Sequence, residues 1–257
     1  GVLKERWQSK ELNNINSITN EELAQIRKKL RSDMVDFVKE KTGISLNKNI
    51  CTLVWARRFA MYKRPYLLFS DEERIMNIIL NKHHPLQIVI SGKPHEADIE
   101  GQKIMNKIIE LEKNPKIKGK LAYIKGYSTE ISEHLVKGAD IWINTPEMGK
   151  EACGTSGMKS SLNGAVQLTV PDGWAGEVNW NGRGYVLPQD DPKDMLYDLL
   201  ENEIVPSFYE KNTDNNQQEQ FLTFAVGKEQ YGVEILTVQE IKGWTEPTKL
   251  PNTPKYM

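Results

Sequence analysis

Five short apolar runs, each followed by a polar loop, constrain this chain more than any other feature. The first is Ile50-Cys-Thr-Leu-Val-Trp-Ala56. It is almost continuously apolar, the signature of a strand covered on both faces of a parallel sheet. Leu86–Ser91, Lys120–Lys125, Ala139–Asn144 and Ala165–Val170 repeat the pattern. Between them, helical spacing falls on Tyr66–Leu80, Ile99–Leu111 and Ile131–Val136. A longer helix leads the series: Thr19-Asn-Glu-Glu22 is a capping box, Leu23, Ile26, Leu30, Met34, Phe37 and Val38 follow, and Gly43 ends the run. Pro192 opens a last helix with Met195, Leu196, Leu199, Leu200 and Ile204 on one side. Strand and helix alternate with short connections, which predicts an α/β fold with a doubly wound parallel sheet. Every polar loop named below leaves the carboxyl end of a strand, so all are expected to face one crevice.

Composition narrows the function. The net charge of −1 gives no case for nucleic acid or an anionic membrane surface. No run is apolar and long enough to span a bilayer, and the N-terminus has no apolar signal core. The two cysteines, Cys51 and Cys153, lie far apart without metal-ligand spacing, which fits a reducing compartment; the cytoplasm is the expectation, and no metal is expected.

Two stretches carry chemistry. Arg57-Arg-Phe-Ala-Met-Tyr-Lys63-Arg64 puts four cations directly after the first strand. It reads either as a phosphate clamp, with Arg58 bidentate and Lys63 as a point charge, or as a solvated basic turn, and the residues alone favour the turn. Glu151-Ala-Cys-Gly-Thr-Ser-Gly-Met-Lys159 passes through small residues into a helix start. The first N–H groups of a helix are unpaired and its dipole favours anions, so this loop suits a phosphate. Lys159, just inside the turn, is an amine able to trap an aldehyde, although a Gly/Ser/Thr-rich turn before a helix is more often an ordinary loop, and the residues alone favour that reading. His95 is a lone loop histidine and receives no role. Cys153 has no neighbouring base and is expected to be a small packing residue. Trp174 and Trp180 are equally suited to stacking on sugar and to packing in a core.

The texture changes after Asn212. Thr213-Asp-Asn-Asn-Gln-Gln-Glu-Gln220 has no apolar residue and reads as a linker. Phe221–Val226 reads as a strand, Gly227–Gln230 as a turn and Tyr231–Val233 as its continuation, with Val238, Ile241 and Trp244 as later anchors. The organisation expected is a domain at 1–212, a linker at 213–220 and a short β-rich appendage at 221–257.

The motifs Ala56-Arg-Arg-Phe-Ala-Met-Tyr-Lys-Arg64, Ser91-Gly-Lys93, Glu151–Lys159 and Leu162-Asn-Gly164, in this order, make residues 1–212 resemble the C-terminal half of an α-glucan phosphorylase. The resemblance implies a Rossmann-like C-terminal domain of a GT-B glycosyltransferase. It implies pyridoxal phosphate as cofactor, held by Lys159 as a Schiff base, with Arg57, Thr155 and Ser156 at its phosphate and Tyr127 nearby. It implies that Arg58 and Lys63 bind substrate phosphate, and that Glu151, Cys153 and Gly154 hold the reacting glucosyl unit. Arg57 stands where animal and plant members have lysine, and Cys153 where many have serine. The implied reaction is reversible phosphorolysis of α-1,4-glucan to glucose 1-phosphate, with Lys159, Arg58 and Lys63 central to it. The family's N-terminal half has no counterpart among these residues, so the chain alone is expected to be inactive or nearly so.

Phe221-Leu-Thr-Phe, Tyr231-Gly-Val-Glu-Ile-Leu, Val238-Gln-Glu-Ile241 and Leu250-Pro-Asn-Thr-Pro254 make the tail similar to the beginning of a CheW-like chemotaxis adaptor. That resemblance implies a β-barrel scaffold without chemistry, whose partners are a chemotaxis histidine kinase and receptors. Neither part explains the other, so a natural junction and an artificial one both stand.

Overall fold

The computed structural model describes residues 18–213, 223–226 and 229–232. In chain order the elements are helix α1 (Asn20–Thr42), strand β1 (Cys51–Ala56), α2 (Glu72–Ile79), β2 (Leu86–Gly92), α3 (Ile99–Glu112), β3 (Leu121–Lys125), α4 (Thr129–Gly138), β4 (Ile141–Asn144), α5 (Thr155–Leu162), β5 (Val166–Thr169), β6 (Gly184–Val186), α6 (Lys193–Leu199) and α7 (Val205–Thr213). Strands β1 to β6 form one sheet in the order β3-β2-β1-β4-β5-β6, and every pairing is parallel. The α/β doubly wound expectation holds.

All six residues of β1 are buried, and their side chains divide by the two-residue period of a strand. Cys51, Leu53 and Trp55 join one apolar cluster with Ile75, Ile78 and Ile79 of α2, Ile108 of α3, and Leu196, Tyr197 and Leu199 of α6. Val54 and Ala56 join the opposite cluster with Met34, Val35, Phe37 and Val38 of α1, and Ile131, Leu135 and Val136 of α4. Both faces of the sheet are thus covered, as continuous apolar strands require.

The chain runs β1, β2, β3 in one direction and then returns to place β4 beside β1, with Leu53 against Ile141 and Val54 against Trp142. This reversal opens a crevice between the loops that follow β1 and β4, where open α/β sheets hold ligands.

The capping box at Thr19 and Glu22 is formed, and Gly43 caps α1 with φ 75°. Tyr66–Leu80 is not one helix: a 3-10 turn covers Leu67–Phe69 and α2 starts after Asp71, whose carboxylate accepts from Arg74 N–H at 3.0 Å. The Tyr197 hydroxyl is the reason, since it donates to Leu68 O at 3.1 Å and accepts from Asp71 N–H at 3.0 Å, so those backbone groups are taken. The last helix carries a wide π turn at Leu200–Ile204 just before Pro206. Proline has no N–H to return and crowds the carbonyl four residues back, and a wider turn relieves both. Strand β6 has no counterpart in the apolar pattern, because it is only three half-buried residues at the sheet edge.

Opposite the crevice, Asp140 anchors α1 to the amino ends of β1 and β4. Its carboxylate accepts from Arg31 Nε at 2.7 Å and Nη2 at 2.7 Å, from Thr52 N–H at 3.0 Å, and from Arg27 Nη2 at 3.5 Å. Arg27 also donates to Lys137 O and Asn163 O, both at 2.6 Å. Burial pushes the Arg27 guanidinium down from its usual range, and Asp140 opposes that shift.

Separately, Thr223–Val226 and Glu229–Gly232 pair as an antiparallel hairpin. The second strand therefore starts inside the expected turn. The polar run from 214 onward, and Val238, Ile241, Trp244 and Leu250–Pro254, lie outside the described residues. Among the described residues no helix is long and apolar enough to cross a membrane.

Removing one partner from a buried ion pair leaves the other charged and unpaired. Asp140→Ala is expected to lower unfolding stability by about 3–5 kcal/mol, measured by urea denaturation. A loss under about 1 kcal/mol contradicts the anchoring role.

Candidate functional site

The loop after β1 is built around a tight reversal. Lys63 ends a 3-10 turn (Met61–Lys63), and Arg64 follows with φ 49° and ψ 53°. Pro65 comes next and disfavours the right-handed helical conformation at Arg64. The left-handed backbone is held by the Arg64 side chain, which donates to Thr145 O at 2.9 Å and Pro146 O at 2.6 Å. Glu147 N–H donates to Tyr62 O at 2.6 Å, so the loops after β1 and β4 are tied together.

The loop after β4 is held from below by Asp172. Its Oδ2 accepts from Glu151 N–H at 2.8 Å and Lys150 N–H at 3.1 Å, and Oδ1 accepts from Gly173 N–H at 2.9 Å. Gly154 then opens α5 in the left-handed region at φ 82°, where a side chain is strained. Trp174 packs under the first turn so closely that a Cβ on Gly157 would lie 3.0 Å from its Nε1.

Between the loops lies a cavity of about 550 Å³, lined by Arg57, Arg58, Lys63, Glu151, Thr155 and Lys159, among others. Among the described residues, four lining cations thus face a single carboxylate. Glu151 Oε2 accepts from Lys63 Nζ at 2.8 Å and from Arg57 Nη1 at 3.1 Å. Arg57 Nη2 reaches Ser156 Oγ at 3.5 Å, while its Nε is buried without a partner among the described residues. Burial lowers the Arg57 guanidinium from its usual range, against the pull of Glu151. Arg58 and Lys159 are exposed to the cavity, and neither side chain has an ion-pair or hydrogen-bond partner among the described residues. The starts of α4 and α5 also open onto it, through Ser128 and Thr129 and through Thr155 and Ser156. Excess positive charge, two helix starts and an unpaired amine are features that suit phosphate groups and an electrophile.

Nine of the ten residues singled out from the sequence line this cavity: Arg57, Arg58, Lys63, Tyr127, Glu151, Gly154, Thr155, Ser156 and Lys159. The Tyr127 hydroxyl pairs with Ser132 Oγ at 2.9 Å. Cys153 does not line it, and the expectation of a packing residue is corrected too: its side chain is exposed and its carbonyl accepts from Trp174 N–H at 3.0 Å. The expectation that every loop faces the crevice fails at Lys93–His95. Phe59 N–H donates to Lys93 O, Phe59 bridges to Pro94, and the turn is held outside the cavity. Trp174 and Trp180 are core residues, each 8% exposed, meeting edge to face at 5.4 Å. Asp172, Ser128 and Ser132 carry no motif signal; only the Asp-Gly pair at 172 and 173 marked a turn.

A carbohydrate phosphorylase family model matches residues 4–181, and a CheW-like domain model matches residues 220–257. The chain is 38% identical over 192 residues to a glycogen phosphorylase of Aquifex aeolicus, covering 68% of this chain and 28% of that protein. It is 34% identical over 220 residues to a maltodextrin phosphorylase of Thermococcus litoralis, covering 76% and 26%. A glycogen phosphorylase of Mycobacterium tuberculosis is 31% identical over 215 residues, covering 73% and 25%. The chain thus spans about a quarter of the length of these relatives. With the family match covering well over half of its residues, on a parallel sheet with a cation-lined crevice at the strand reversal, this chain belongs to the carbohydrate phosphorylase family.

Proposed function

We propose that residues 1–212 are the cofactor- and phosphate-holding domain of an α-glucan phosphorylase, acting in reversible phosphorolysis of α-1,4-glucan to glucose 1-phosphate. The observation that carries the reading is the excess of four lining cations over one carboxylate in a cavity that also receives two helix starts. Two phosphate groups side by side repel by about 4 kcal/mol per pair of unit charges at 4 Å near a protein surface, so they need such an excess.

The residues present fit pyridoxal phosphate. Lys159 presents an unpartnered amine to the cavity and would hold the aldehyde end. Arg57, with its buried unpartnered Nε, and the N–H groups of Thr155 and Ser156 would take the cofactor phosphate, beside Tyr127. Bound there, the cofactor would supply a phosphate group able to give and take a proton. Arg58, exposed and unpartnered among the described residues, and Lys63 would hold the substrate phosphate and screen its charge as the glucosyl bond breaks. Glu151 and Gly154, with the Cys153 backbone, would orient the glucosyl unit. Asp172 acts from behind by fixing the backbone of Glu151.

The second reading rests on the CheW-like match at 220–257. We propose that residues 221–257, after a linker that begins past Thr213, the last residue of α7, contribute a docking segment for a chemotaxis kinase or receptor. We place the protein in the cytoplasm, because Cys51 and Cys153 are both free thiols.

Incubating the purified chain with pyridoxal phosphate is expected to give the absorbance of lysine-bound cofactor, and Lys159→Ala to abolish it; equal absorbance in the variant contradicts the assignment. These 257 residues alone are expected to release no measurable glucose 1-phosphate from glucan and phosphate, and robust release contradicts that reading. Asp172→Ala leaves the backbone N–H groups of Glu151 and Gly173 without their acceptor, while Lys150 N–H keeps Glu147 O at 3.2 Å, and is expected to lower stability by about 1–3 kcal/mol, with weaker cofactor binding by absorbance titration. Unchanged cofactor affinity removes the positioning role.

A further inference from the structure

Among the described residues the cavity is lined by one negative side chain, and it is already engaged by cations that a phosphate needs. Lys63 and Arg57 both close on the same oxygen of Glu151, at 2.8 and 3.1 Å. The three side chains are only 6–10% exposed. The other oxygen, Oε1, has no partner among the described residues. We infer that Glu151 is an internal counter-anion: its carboxylate occupies Lys63, assigned above to the substrate phosphate, and Arg57, assigned to the cofactor phosphate, until phosphate groups take its place, and displacement frees the carboxylate to meet the sugar. The inference rests on the phosphate-site reading above.

Three features support it. Buried cations without an anion are strongly unfavourable, so the two cations need Glu151 whenever phosphate is away. A phosphate dianion brings about twice the charge of a carboxylate to the same cations, and Arg58 and Lys159 stand unpaired beside them to complete its shell. The backbone cannot follow the exchange, because Asp172 holds the N–H groups of Lys150 and Glu151. The exchange is therefore a rotation of the Glu151 side chain. It couples the two ligands: phosphate first, then a carboxylate released toward the glucosyl unit, with each ligand favouring the other.

The test uses the full chain and inorganic phosphate, titrated by calorimetry. Glu151→Gln keeps the size of the side chain and removes its charge, and it is expected to bind phosphate about fivefold or more tightly than wild type. Glu147→Gln removes a charge from the same loop outside the cavity and is expected to leave the affinity unchanged. If Glu151→Gln binds phosphate equally or more weakly, the counter-anion role is overturned. If both variants gain equally, general charge explains the gain and the role is again overturned. A wild-type measurement guards against misfolding of the variant: the Glu151 carboxyl carbon resonance is expected to move as phosphate saturates the chain, and a stationary resonance overturns the exchange. Loss of lysine-bound cofactor absorbance on Lys159→Ala is read separately, so failure of the cofactor reading is distinguishable from failure of this one.

Discussion

Two buried cations closing on one carboxylate oxygen hold the upper edge of the sheet together. Lys63 and Arg57 come from the loop after β1, and Glu151 from the loop after β4. Neither loop has an apolar core of its own. Their register is set instead by Arg64 on the Thr145 and Pro146 carbonyls and by Asp172 on the Glu151 and Lys150 amides. These contacts bring Arg57 and Lys63, 94 and 88 residues from Glu151 in the sequence, into one cavity with it. The doubly wound sheet contributes the reversal between β1 and β4, which keeps the two loops adjacent and leaves room between them.

Most of the sheet was readable from the sequence, because burial on both faces leaves almost no polar choice in β1, β2 and β4. The losses fall where tertiary contacts override local pattern. The Tyr197 hydroxyl takes backbone groups at Leu68 and Asp71 and so splits the helix expected over Tyr66–Leu80. Strand β6 is too short and too exposed to leave an apolar signature. The π turn at Leu200–Ile204 depends on Pro206, whose effect acts backward along the chain.

The site was readable for a different reason. Eight of the nine lining residues singled out from the sequence lie in two contiguous motifs, each starting in a loop that follows a strand, so motif and topology pointed to one place; Tyr127 lies apart, in the loop after β3. Residue type alone misled at Cys153, where a backbone carbonyl is engaged and the thiol is exposed. It also left Trp174 and Trp180 undecided: Trp174 packs under α5 and Trp180 against Trp174, which decides both for the core. Asp172 escaped notice because its work is done through backbone amides of residues twenty positions earlier, and no spacing rule encodes that.

The cavity has cations enough for two phosphate groups, and occupancy tests this most directly. Titrating inorganic phosphate into the cofactor-loaded chain by calorimetry, while following the lysine-bound absorbance, should show one further phosphate bound per chain with the cofactor retained. The affinity should fall with added salt, as an ionic site requires. Displacement of the cofactor by phosphate, or no binding once the cofactor is in place, would contradict a site built for both.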